Sequence, residues 1–147
     1  MEIVIPGKPI AKKRPRFVRR GNFVGAYNAQ ETEEGRWILE AKSQVPHKFE
    51  EGPILLTCVF TMPIPKGMKK RDVTLAEAGQ MYHTKKPDLD NLVKFVKDCL
   101  NGLAWHDDSQ VVKLTATKNY GRNPRTVIWI HGQDTGIGAE GVKSSRG

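Results

Sequence analysis

Leu89, Leu92, Val93, Val96, Cys99, Leu100 and Leu103 recur at three- and four-residue spacing, a pattern that falls on one face only if the segment is helical. Asp88 stands at the N-cap position in front of it and Asn101-Gly102 makes a natural stop behind it. An apolar helix face of this width needs a surface to cover. The best one in the chain is Ile54-Leu55-Leu56-Thr57-Cys58-Val59-Phe60-Thr61-Met62, a run of β-forming residues ended by Pro63. A strand and a helix that require each other exclude an all-helical bundle and an all-β sandwich.

The remaining segments fit the same class. Met1-Glu2-Ile3-Val4-Ile5 reads as a short strand stopped by Pro6-Gly7. Residues 32–45 suit a second helix, with Thr32 as its cap, Glu33 and Glu34 at its positive end, and Trp37, Ile38, Ala41 and Val45 on one face. Residues 64–87 have no clear period apart from a turn of helix at Ala76-Glu77-Ala78, and long irregular connections in small domains tend to carry function. Residues 111–120 and 126–130 read as two strands joined at Gly121–Pro124, a hairpin by their closeness. The expectation is a single α+β domain over residues 1–132, with a mixed β-sheet and two main helices, followed by a loose Gly- and Ser-rich tail over 133–147. Trp37, Trp105 and Trp129 all fall in apolar surroundings and are expected in the core.

At 147 residues the chain is long enough for one real core, and its hydrophobic content of 38% suits a soluble fold. No apolar run approaches the ~20 residues of a membrane span, and no secretory leader opens the sequence, so a cytoplasmic location is expected. Cys58 and Cys99 lie far apart in apolar segments and read as reduced, buried thiols. A formal net charge of +8 favours a polyanionic partner, nucleic acid above all. The cations gather in two stretches: Lys12, Lys13, Arg14, Arg16, Arg19 and Arg20, with Phe17 and Phe23 among them, and Lys69, Lys70, Arg71, Lys85 and Lys86. Such residues contact phosphates, which sets affinity and salt sensitivity but not base choice.

Within this basic chain four aspartates are concentrated: Asp88 and Asp90 at the helix start, Asp107 and Asp108 just before a strand. Acids in a first turn stabilise a helix by a few tenths of a kcal/mol to about 1 kcal/mol, and Lys94 can pair with Asp90 across one turn, so each has a bland explanation alone. Two acidic pairs joined by one helix and a short return, flanked by Lys85 and Lys86, point elsewhere. Carboxylates repel one another unless a cation lies between them, and carboxylate oxygens suit Mg²⁺, with Mn²⁺ as substitute. Bound beside a phosphate, such an ion activates water and stabilises the leaving oxygen, while Lys94 offsets developing negative charge. His83 and His106 flank these motifs without the ligand spacing that zinc requires.

The residues match a known pattern. Asp88-Leu89-Asp90-Asn91-Leu92, Lys94 four residues after the second aspartate, and Asp107-Asp108-Ser109-Gln110-Val111 resemble the motifs of the RusA-like Holliday junction resolvases; Pro6-Gly7-Lys8-Pro9 and Arg14-Pro15-Arg16 also resemble the opening of many members. The resemblance implies metal ligands at Asp88, Asp90 and Asp108, Lys94 as essential base or charge stabiliser, and a homodimer making paired nicks in four-way DNA. Asp107 matches an acidic position of the same motif. Because the link from Lys94 to the acidic pair is somewhat shorter than in the best-known form, both Asp107 and Asp108 stay open as the third ligand, with Asp108 favoured. Two equivalent cuts on a two-fold junction are most simply made by a two-fold dimer. Pro87-Asp88 also opens the PD-(D/E)xK nuclease pattern, but Glu40-Ala41-Lys42 precedes it, which is the wrong order. The reading from a different class is a non-catalytic basic DNA-binding protein of phage replication or packaging, whose aspartates only cap and pair.

Overall fold

A computed structural model describes residues 1–13, 16–20, 23–27 and 31–133; of 16–20, 23–27 and 31 only the backbone is described. The elements in chain order are β1 (Glu2–Pro6), β2 (Arg16–Arg20), β3 (Phe23–Tyr27), α1 (Glu31–Lys42), β4 (Ile54–Met62), α2 (Lys70–Glu77), α3 (Leu89–Leu100), β5 (Val111–Tyr120) and β6 (Arg125–Gly132). Strands β1, β6, β4 and β5 form one mixed sheet in that order, and β2 and β3 pair antiparallel as a separate hairpin. The class is α+β, as the patterns require.

Alternation along β4 decides which face is covered. Ile54, Leu56, Cys58, Phe60 and Met62 are buried, and they meet Ile3 and Ile5 of β1 and Ile128 and Ile130 of β6 in one core. Helix α3 closes this face with Leu92, Val93, Phe95, Val96, Cys99 and Leu100, each fully buried apolar side chain contributing about 1.5–3 kcal/mol. Helix α1 adds Trp37 and Ala41, the Trp37 ring meeting Phe95 edge-on at 5.8 Å. Burial pushes the Cys58 and Cys99 thiols up to about 12, so both remain unreactive core residues.

Three expectations need correction. The two C-terminal strands do not pair: β4 lies between them, parallel to β5 and antiparallel to β6. The chain crosses the end of β4 at Gly121, whose N–H donates to the Met62 carbonyl and where any Cβ would collide with Thr61. A residue with no side chain lets the connection step over a neighbouring strand, where closeness in sequence suggested a hairpin. Trp129 is not in the core. It lies on the sheet face turned away from α1 and α3, with 39% of its surface exposed. Thr32 does not cap α1, which begins one residue earlier.

The connection 64–87 holds a third, shorter helix, α2, where only a turn was legible. The expected tail from residue 134 onward lies outside the described residues.

Lys12 fastens the N-terminal segment to both long helices. Its ammonium lies 2.9 Å from Glu34 of α1 and 3.2 Å from Asp98 of α3, and its backbone N–H donates to the Asn91 carbonyl. The hydrogen bond with Glu34, then that with Asp98, raise the Lys12 pKa against the opposing effect of burial. A lysine whose folded pKa is raised contributes stability at neutral pH and loses it only as pH climbs above its ordinary 10.5. Lys12→Met is therefore expected to destabilise the fold by about 1 kcal/mol at pH 7, read from urea unfolding, with the difference shrinking at strongly alkaline pH.

Candidate active site on helix α3

Helix α3 starts at the acidic motif for a backbone reason. Asp88 has extended dihedrals (φ −68°, ψ 145°) and its carbonyl accepts the first intrahelical bond from Leu92, so it occupies the N-cap position. Its carboxylate, however, makes no capping hydrogen bond. An N-cap aspartate whose side chain leaves the helix end unsatisfied forgoes about 1 kcal/mol. Asp90 follows in the first turn and Lys94 one turn later, both exposed. Among the described ion pairs none joins Asp90 to Lys94, so the helix-pair explanation of Lys94 does not hold here.

The return from α3 brings in the second acidic pair and separates its members. Gly102 adopts a positive φ of 84° and donates to the Trp105 carbonyl, turning the chain back sharply. Asp107 caps a 3₁₀ turn at Asp108–Gln110: its side chain accepts from the Ser109 N–H at 2.9 Å, while the Gln110 side chain accepts from the Asp107 N–H. Hydrogen bonds from the Ser109 side chain and then its backbone hold the Asp107 carboxyl below the usual carboxylate range. Gln110 also donates to the Phe49 and Gly52 carbonyls, tying the turn to the segment before β4. Asp108 points elsewhere. Its Oδ1 accepts from the indole Nε1 of fully buried Trp105 at 2.8 Å.

Asp90, Lys94 and Asp108 line one open cleft of about 310 Å³, together with Val93, Lys97, Asp98 and Leu114. Asp98 already faces Lys12. Asp88 lines an adjoining hollow of about 680 Å³ with Asn91, Lys8, Lys13 and Lys86. Among the described residues no three His, Cys, Asp or Glu side chains stand close enough to hold a metal ion by themselves.

The approach to Asp88 is anchored from the sheet. Lys118 of β5 donates from Nζ to the Lys85 and Pro87 carbonyls, both at 2.7 Å, on either side of Lys86 across a cis Lys86–Pro87 bond. Sequence reasoning had no signal for this contact, since Lys118 is one of two lysines in a strand. The bond from Trp105 to Asp108 had a faint one, an indole three residues before Asp108.

Of the basic residues, Lys13 and Lys86 line the Asp88 hollow, Lys85 is exposed beside Lys86, and Lys12 lies against Glu34 and Asp98. Lys69 is the N-cap residue of α2, and Lys70 and Arg71 lie in its first turn. Arg16, Arg19 and Arg20 lie on β2 with side chains outside the described residues, and Arg14 lies outside them altogether.

Comparison with known proteins gives this arrangement a class. The model of the family Endodeoxyribonuclease RusA matches residues 6–131, so the chain belongs to that family of endodeoxyribonucleases. It is also 35% identical over 134 residues to the uncharacterized protein YqaN of Bacillus subtilis (strain 168), covering 88% of this chain and 94% of the relative. No helix among the described residues is long and apolar enough to cross a membrane.

Proposed function

We propose that the protein is a Mg²⁺-dependent, structure-selective endodeoxyribonuclease that resolves four-way DNA junctions as a homodimer, by paired symmetric nicks. The observation that carries this reading is the shared cleft of Asp90, Lys94 and Asp108, with Asp108 oriented by Trp105. The donor set fits the ion. Asp88, Asp90 and Asp108 offer hard oxygen ligands; the Asp88 carboxylate is not spent on the helix cap, and one Asp108 oxygen remains beyond the indole bond. Mg²⁺ is commonly held by one or two carboxylates plus substrate phosphate, and Asp90 and Asp108 are the two acids of the set that share a cleft, with Asp88 in the adjoining hollow. Asp88, Asp90 and Asp108 would hold Mg²⁺, or Mn²⁺ in its place, and the bound ion would supply an activated water and charge neutralisation at the scissile phosphate. Asp107, committed to its cap, contributes by fixing the turn that presents Asp108.

Lys94, on the same cleft, offsets the negative charge that develops on the phosphate. Lys13, Lys85 and Lys86 hold the flanking backbone. Lys69 and Lys70 stand at the positive end of α2, where the helix dipole disfavours them, while Arg71 lies 3.7 Å from Asp72 in the same turn. A partner phosphate backbone would offset that cost.

The test is cleavage of a labelled four-way junction and its matching linear duplex, with Mg²⁺ and with EDTA. Metal-dependent symmetric nicks confined to the junction are expected, with binding that weakens steeply from low to physiological salt. Binding without cutting under any divalent metal would instead favour a DNA-binding protein without catalysis.

Lys118 acts on this site through the loop it holds. Lys118→Met is expected to lower junction cleavage by about tenfold to a hundredfold, the range typical of residues that orient ligands, and to raise the Mg²⁺ concentration needed for half-maximal rate. An unchanged Mg²⁺ requirement would reduce Lys118 to a packing role.

A further inference from the structure

A second groove, of about 330 Å³, opens beside the acidic cluster. Pro63, Ile64 and Pro65 form an apolar wall, His83 lies at its base, and Lys8, Lys85 and Lys86 stand around it. Lys8 and Lys86 also line the hollow that holds Asp88, so the two depressions share a wall. Among the described residues none of these three ammonium groups has an ion-pair partner. Like charges gathered without a carboxylate between them favour an incoming anion.

His83 adds an independent observation. It is only 9% exposed, its ring lies 4.8 Å from that of Tyr120, and its Nδ1 has no hydrogen-bond partner among the described residues. Burial, followed by the nearby positive charges of Lys118, Lys8 and Lys85, holds the imidazole below its ordinary pKa, so it is neutral at physiological pH. Buried polar groups without partners are rare in folded proteins and call for an explanation.

We propose that this groove seats one unstacked nucleotide beside the cut, its phosphate against Lys8, Lys85 and Lys86 and its base over Pro63, Ile64 and Pro65, with His83 as the polar group at the groove's base. The assignment rests on the DNA endonuclease reading and names the part of the substrate that the groove takes. A phosphate alone has no use for the apolar wall, and an apolar peptide has no use for three cations; a nucleotide presents both chemistries. At a branch point the base stack is already interrupted, so drawing one base aside costs least there.

Junctions carrying a single abasic nucleotide, moved one position at a time around the nick, test the assignment with the full-length protein and Mg²⁺. One position next to the scissile phosphate should lower the single-turnover rate by about tenfold, the scale of one lost base contact. That penalty should shrink in Lys85→Gln, an exposed position, and in Ile64→Ser, a half-buried position beside the core whose folding is checked by urea unfolding. A fluorescent adenine analogue at the same position should brighten when the junction binds in Ca²⁺, and brighten less with either variant. A uniform abasic profile without brightening overturns the groove assignment even if the junction is cut. Brightening without cutting under any metal would retain the groove and overturn the nuclease reading. Failure to bind the junction overturns both.

Discussion

Asp90→Asn is expected to lower the single-turnover cleavage rate of a four-way junction by about a thousandfold or more while leaving junction binding intact. The substitution keeps shape and removes one charge. Asp90 is exposed in the first turn of α3, so the fold loses only the dipole interaction of one surface carboxylate, a few tenths of a kcal/mol. Asp90 shares its cleft with Lys94 and Asp108, and on the proposed mechanism its carboxylate is a metal ligand there. Junction affinity should hold or tighten, because a negative charge beside the phosphate is gone. Gel-shift binding in Ca²⁺ and quenched cleavage in Mg²⁺ separate the two effects. A fully active Asp90→Asn protein would end the mechanism.

Trp105→Phe is expected to act on two measurements at once. The indole is fully buried in the core, and its Nε1 donates to Asp108 Oδ1. Phe keeps most of the apolar volume but leaves a small void and removes the donor, at a cost of about 1–3 kcal/mol in urea unfolding. With nothing to hold it, the Asp108 carboxylate can rotate away from the cleft; on the proposed mechanism it is a metal ligand, and residues that orient such ligands typically matter by about tenfold to a hundredfold. A lower rate with a higher Mg²⁺ requirement, measured where the variant is still folded, identifies the orienting role. A loss of stability with unchanged rate and Mg²⁺ requirement would leave Trp105 as core alone.

The two predictions mark different depths of legibility. The place of Asp90 in the first turn of α3 was readable from residues alone, because the helix writes its period and its terminus into a continuous stretch and the motif sits at that terminus. The same holds for β4, whose β-forming run and closing proline are local signals. The different surroundings of Asp107 and Asp108 were not readable in this way. Both are acids before a strand, and the difference appears only when Ser109 and Gln110 close a cap on one while the core delivers an indole to the other. Lys12 was read with the phosphate-binding cations because a lysine run looks the same whether its members meet solvent or carboxylates; Glu34 and Asp98 reach it only once α1 and α3 pack side by side.

The amino-acid sequence by itself determined the α+β class, helix α3 with its acidic start, strand β4 and the basic character of the chain. Each of these depends on periodicity, turn chemistry or charge within a short stretch. The tertiary structure decided that β4 separates β5 from β6, that Trp129 faces outward, that Trp105 holds Asp108, and that Lys118 anchors the approach to Asp88. Most of these depend on contacts between residues distant in the chain. Trp105 and Asp108 are close in sequence, yet their bond forms only because packing buries the indole beside the cleft. Such contacts depend on strand order and core packing, which local patterns do not encode.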